Sequence, residues 1–147
     1  MLMVEDEPRE LKLCMLPGEL PMFISAMVFT IFLTLLPVKK NIPHAILIRA
    51  IEPRDGINIM LQRRNKNKVD LSLTAGPGSL TKALGITVVN SGVSLMDNLI
   101  WLEDQNIHYT NQDIFASPRV GVQYAGKDAK NSWRFRIENS PYVSPTF

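Results

Sequence analysis

The stretch that most restricts what this chain can fold into is HAILIRAIEP, residues 44–53. It is a near-continuous apolar run, rich in Ile and bounded by Pro43 and Pro53. Such a run reads as a buried β-strand over residues 44–52. Arg49 stands in its middle. A guanidinium enters an apolar interior only at heavy cost unless it is paired. Arg49 therefore either sits at a strand end and reaches water, or meets a carboxylate or another polar site. A snorkelling or structurally paired arginine is the plain alternative to a functional one.

A second apolar run lies just upstream. Residues 22–38, MFISAMVFTIFLTLLPV, carry no charge. Read alone, they approach the lower length limit of a membrane-crossing helix. Lys39 and Lys40 would place its far end in the cytoplasm. A cleavable leader fits poorly, because the acidic cluster Glu5-Asp6-Glu7 precedes the run. A core helix is the other reading, although its apolar surface would extend all the way round.

The totals favour a globular chain over a disordered one. There are 147 residues, 46% hydrophobic and 20% charged, enough for one domain. The formal net charge of +2 permits nucleic-acid binding without arguing for it. Cys14 is the one cysteine, which excludes a disulfide framework and a cysteine zinc site. His44 and His108 are the only histidines, so a histidine-rich metal site or a catalytic pair is not expected.

Beyond residue 53, Asp55-Gly56 marks a turn. In INIMLQRRNKNK, Ile57, Met60 and Leu61 fall at i, i+3 and i+4, a short amphipathic helix with a basic tail. Arg63, Arg64, Lys66 and Lys68 in that tail are either a solvated helix end favoured by the dipole or contacts for phosphate. In LSLTAGPGSLTKALGI, Gly76-Pro77-Gly78 is a tight turn. Ser79 can cap a helix that buries Leu80, Ala83 and Leu84 and stops at Gly85. No Gly-Lys-Ser/Thr follows, so this is not a nucleotide-binding phosphate loop.

Residues 97–103, DNLIWLE, read as a buried strand or short helix around Trp101, and 104–113 as a loop. SPRVGVQYAG, 117–126, predicts a strand with Val120 and Val122 on one face and Gly121 at a close approach of backbone or ligand. WRFRIENSPYVS, 133–144, alternates Trp133, Phe135 and Ile137 against Arg134 and Arg136, a one-sided strand with a basic outer face. The expected class is α+β: a single mixed domain with an antiparallel-rich sheet and short helices, here incomplete.

From Pro43 onward, four pieces in order resemble the alkyladenine (3-methyladenine) DNA glycosylases. They are HAILIRAIEP with the following Gly56, AGPGSLTKALGI, SPRVGVQYAG and WRFRIENSPYVS. The resemblance implies base-excision repair. A damaged purine is flipped from the duplex, because the scissile bond is unreachable inside the stack. It is stacked between aromatic side chains, and a held water cuts the N-glycosidic bond. Three groups hold that water in the family: a glutamate general base, the arginine of the LIRA-type strand, and the backbone carbonyl of the first valine in RVGV. By resemblance the last two are Arg49 and Val120, and Leu47 lines the base pocket. An arginine beside a general base favours its carboxylate form and orients it. Arg63, Arg64, Lys66, Arg134 and Arg136 are the expected electrostatic contacts to DNA. The resemblance further implies no metal or other cofactor, double-stranded DNA with a damaged purine as partner, a monomer, and a bacterial cytoplasmic, nucleoid-associated location.

Residues 1–42 depart from the family's pattern, and 43–147 form its C-terminal part. The glutamate of a VETEAY-like motif and the aromatics and histidine of a YVYxxYGxHxxxN segment are both missing. A shifted reading frame over residues 5–40 accounts for this. Codons for Met27-Val28-Phe29-Thr30-Ile31-Phe32 begin AT, GT, TT, AC, AT, TT. One base over, with the first base of each codon free, these can complete Tyr-Gly-Ile-His-His-Leu. The adenine-rich codons of Lys39-Lys40-Asn41 are where the frame would return. The 147-residue chain is accordingly expected to lack catalysis. A remnant that binds DNA without cutting it, or a small membrane protein spanning at 22–38, are the alternatives.

Overall fold

The computed structural model describes the backbone of residues 2–4, 11–13, 22–27, 30–39, 42–43, 45–95 and 99–144, and the side chains of 45–95 and 99–144 except that of Leu102. The acidic cluster at 5–7, Cys14, Lys40 and His44 lie outside the described residues.

Strands β1 (Leu2–Val4) and β2 (Leu11–Leu13) pair antiparallel, and β2 continues parallel onto a later strand. The apolar run at 22–38 is not a helix. It forms β3 (Met22–Met27) and β4 (Thr30–Lys39), antiparallel from Met22↔Pro37 to Met27↔Thr30. The run is rich in Phe, Ile and Thr, which suit a pleated strand, and Pro37 would remove a hydrogen bond from a helix's last turn. This corrects both helical readings of the segment. Among the described residues, no helix is long and apolar enough to cross a membrane.

The far edge of β4 takes two short partners, β5 (Ile42–Pro43) and β6 (Ile46–Leu47). The strand expected over 44–52 is thus much shorter, and it is not buried throughout. Ile46 and Leu47 are exposed, while Ile48 enters the core.

Helix α1 (Ile57–Arg64) starts at Gly56, whose positive φ of 64° follows the expected turn. Met60 is fully buried, with Ile57 and Leu61 packed beside it. Helix α2 (Pro77–Leu84) buries Leu80, Ala83 and Leu84 as its spacing predicts. Gly76, rather than Ser79, is the residue before its first turn, with Pro77 just inside. Proline's fixed φ and missing N–H suit that first position. Gly85 ends α2 at φ 72°. That left-handed conformation favours glycine, and a Cβ there would lie 2.7 Å from Arg63 Cζ and displace the end of that side chain. Leu73, Ile86, Leu95 and Ile100 complete this core. Each large buried side chain contributes about 1.5–3 kcal/mol.

The chain then forms β7 (Ile100–Leu102), the parallel partner of β2, so the described part of 97–103 holds a short strand around Trp101 rather than a helix. Residues 104–113 are loop and turn, as expected. β8 (Ile114–Ser117) and β9 (Arg134–Ile137) make an antiparallel pair. The strand expected over 117–126 is corrected: β8 ends where that segment begins. Pro118 has no N–H to donate, and Gly121 at φ 75° reverses the chain. A 3-10 segment, Gln123–Lys130, follows, kinked at Gly126. The apolar face of β9 is corrected too. Phe135 is 66% exposed and Trp133 58%. The class is α+β with mostly antiparallel pairing.

Candidate DNA-contacting arginine site

The backbone on both sides of Arg49 is held by the segment that leads into α2. The Gly76 N–H donates to the Arg49 carbonyl at 2.8 Å. Ala50 and Ala75 form an antiparallel bridge, and buried Thr74 Oγ1 donates to the Ile51 carbonyl at 2.7 Å. Ile48 anchors the preceding residue in the core. Leu47 and Arg49 are both exposed. Arg49 escapes burial because β6 has already ended at Leu47.

Its surroundings are positive. Partial burial, and after it the charges of Arg134 and Arg119, hold the Arg49 guanidinium below its ordinary value. Among the described residues, several acidic groups have partners elsewhere. Glu52 pairs with Arg54 at 3.2 Å, and Asp70 takes Lys66 at 2.6 Å and the Ser72 hydroxyl at 2.6 Å. Those hydrogen bonds hold the Asp70 carboxyl down at about 2. Asp113 accepts from the Thr110 hydroxyl and N–H, which lowers its pKa, and Asp128 accepts from Asn131.

Val120 occupies an exposed bend immediately before Gly121, while Val122 is buried and fixes the far side of that bend. Arg119 is exposed beside it. The rungs Ser117↔Arg134 and Phe115↔Arg136 put Arg134 and Arg136 on one face of the hairpin. Arg134 Nη2 donates to the Ser144 carbonyl at 3.0 Å, and the Arg136 guanidinium lies 4.5 Å over the Phe115 ring. This cation–π contact holds Arg136 against the strand.

The α1 cations have inward partners. Arg63 Nη1 donates to the Leu84 carbonyl at 2.8 Å, satisfying the end of α2. Arg64 Nη2 donates to Ser79 Oγ at 3.0 Å, and Lys66 takes Asp70. The charges of Arg134 and Arg119 thus bear on Arg49, whereas Arg63, Arg64 and Lys66 have their partners within the helical unit. Arg119 was not a sequence candidate. Its one signal was adjacency to Val120, because its approach to Arg49 depends on the hairpin. No group of three or more His, Cys, Asp or Glu that could hold a metal ion occurs among the described residues.

Comparison with known proteins decides the family. Residues 4–141 match the methylpurine-DNA glycosylase family. The chain belongs to that family. Its relatives include proteins named as 3-methyladenine DNA glycosylases. One from Listeria monocytogenes is 38% identical over 114 residues, covering 78% of this chain and 54% of that protein. One from Bacillus thuringiensis is 43% identical over 110 residues, covering 69% of this chain and 54% of that protein. One from Staphylococcus aureus is 39% identical over 105 residues, covering 71% and 50%. The chain spans about half the length of these curated relatives. The glycosylase-family match begins upstream of β3 and so runs across both apolar segments.

Proposed function

We propose that this chain carries the water-positioning part of a base-excision glycosylase, one that releases alkylated or deaminated purines from duplex DNA. The observation that supports this most is the placement of Arg49. It is exposed, its backbone is clamped to the start of α2, and Arg119, the residue before Val120, is close enough to act on its charge. Arg49 would orient the general-base carboxylate and its water. The Val120 carbonyl would accept a hydrogen bond from the same water, and Leu47, two residues before Arg49, would line the base pocket. Arg134 and Arg136 would contact DNA phosphate, with Arg63, Arg64 and Lys66 contributing only long-range charge.

The 147 residues alone are proposed to bind DNA but not to cleave the glycosidic bond, because residues 1–42 carry neither the VETEAY-like glutamate motif nor the YVYxxYGxHxxxN segment. We attribute this to a shifted frame over residues 5–40. Codons that fail to give the tyrosine and histidine motif one base over would remove that explanation. Incubating the purified chain with duplex containing hypoxanthine or 3-methyladenine is expected to release no free base. Release above the uncatalysed background would refute the proposed inactivity.

A further inference from the structure

Strand pairing sorts the β8–β9 hairpin into two unlike faces. Residues directly opposite each other on paired strands share a face. The rungs Ile114↔Ile137 and Ala116↔Phe135 therefore gather four apolar side chains on one side. The rungs Phe115↔Arg136 and Ser117↔Arg134 gather the charges on the other, where the Arg136 guanidinium lies over the Phe115 ring. The apolar side carries no charge within the paired strands, yet Ile114, Ala116, Phe135 and Ile137 are all exposed. An antiparallel strand pair with one polar and one apolar face is built to pack its apolar face on a second layer. Among the described residues the two strands pair only with each other, so their outer edges are open as well.

The family match points to the occupant. The hairpin lies inside the matched segment, residues 4–141, and the chain spans about half the length of its curated relatives. A longer chain buries a larger fraction of its surface, so a strand pair that is open here can be covered there. We propose that the Ile114–Phe135–Ile137 face is a docking surface for the remainder of the family's domain, taken up as a separate polypeptide. That partner offers an apolar layer for the face and strand backbone for the open edges. The inference rests on family membership and not on the repair reading, so base release plays no part in its test.

The test titrates the full chain with a probe polypeptide: the longer stretch of the Listeria monocytogenes relative that lies outside its 114-residue match. A one-to-one complex is expected, read by sedimentation. In the complex, amides of Ile114–Ser117 and Arg134–Ile137 are expected to exchange more slowly than in the chain alone. Phe135→Asp replaces an exposed ring, so folding should survive, and it is expected to weaken the complex about tenfold or more. Val89→Ser alters a side chain that is likewise exposed, on the 3-10 turn Val88–Asn90, and should leave the affinity as it is. No complex with the native chain overturns the proposal. So does a complex that Phe135→Asp forms as tightly, or one in which the hairpin amides gain no protection, since docking would then be elsewhere. A scrambled-sequence probe that binds as well reduces the face to a non-specific apolar patch and overturns the proposal. A chain that already dimerises without the probe, and loses the dimer on Phe135→Asp, gives the face to a second copy instead.

Discussion

The helical unit of α1 and α2 buries Met60, Leu80, Ala83 and Leu84 almost completely, whereas the β8–β9 hairpin leaves Trp133, Phe135 and Ile137 in water. Both regions carry clear apolar patterning in the sequence. The difference is the number of neighbours able to receive that pattern. Helix α2 meets α1 and the segments around Leu73 and Ile86, and Arg63 satisfies its last carbonyls. Among the described residues, the hairpin strands pair only with each other, and a two-stranded hairpin is marginal without a second layer. Arg49 stands at the boundary, its backbone joined to the helical unit and its charge facing the hairpin. The contact that positions the arginine therefore belongs to the stable region, while the groups proposed to meet DNA belong to the open one.

The largest expected effect tests the stable side. Leu80→Ala should lower unfolding free energy by about 2–5 kcal/mol in a urea titration, as for other large-to-small changes in a filled core. A loss under ~1 kcal/mol would mean that the helical unit is not what holds the chain together. Gly85→Ala comes next. It forces a side chain into a left-handed position and against Arg63, and should cost about 1–3 kcal/mol. An unchanged midpoint would dissolve the link between the end of α2 and α1. Phe135→Ala should change stability least, within about 0.5 kcal/mol, because the ring is exposed. A cost matching that of Leu80→Ala would show that the hairpin face is covered in solution.

The helices could be read from local pattern because their causes are local. Met60 and Leu80 follow helical spacing, and Gly56 and Gly85 supply the left-handed turns at their ends. The run at 22–38 misleads because continuous apolarity does not distinguish a helix from two strands; its β-branched and aromatic residues were the better guide. For 133–137, the alternation correctly gave a two-faced strand, but periodicity says nothing about what lies opposite either face. Arg49 was conspicuous as a charge in an apolar run, and its exposure follows from a strand only two residues long, Ile46–Leu47. Arg119 was missed because nothing in SPRVGV indicates that the hairpin brings it towards a residue seventy positions earlier.

Native-state hydrogen exchange on the purified chain tests this division most directly, because it reads the opening free energy of each segment separately. Amides in Met60–Arg64 and Leu80–Leu84 should exchange last and together, as one cooperative unit. Those in Ile114–Ser117 and Arg134–Ile137 should exchange far faster. Equal protection of the hairpin and the helices would contradict the account, since the β8–β9 face would then be part of a closed core.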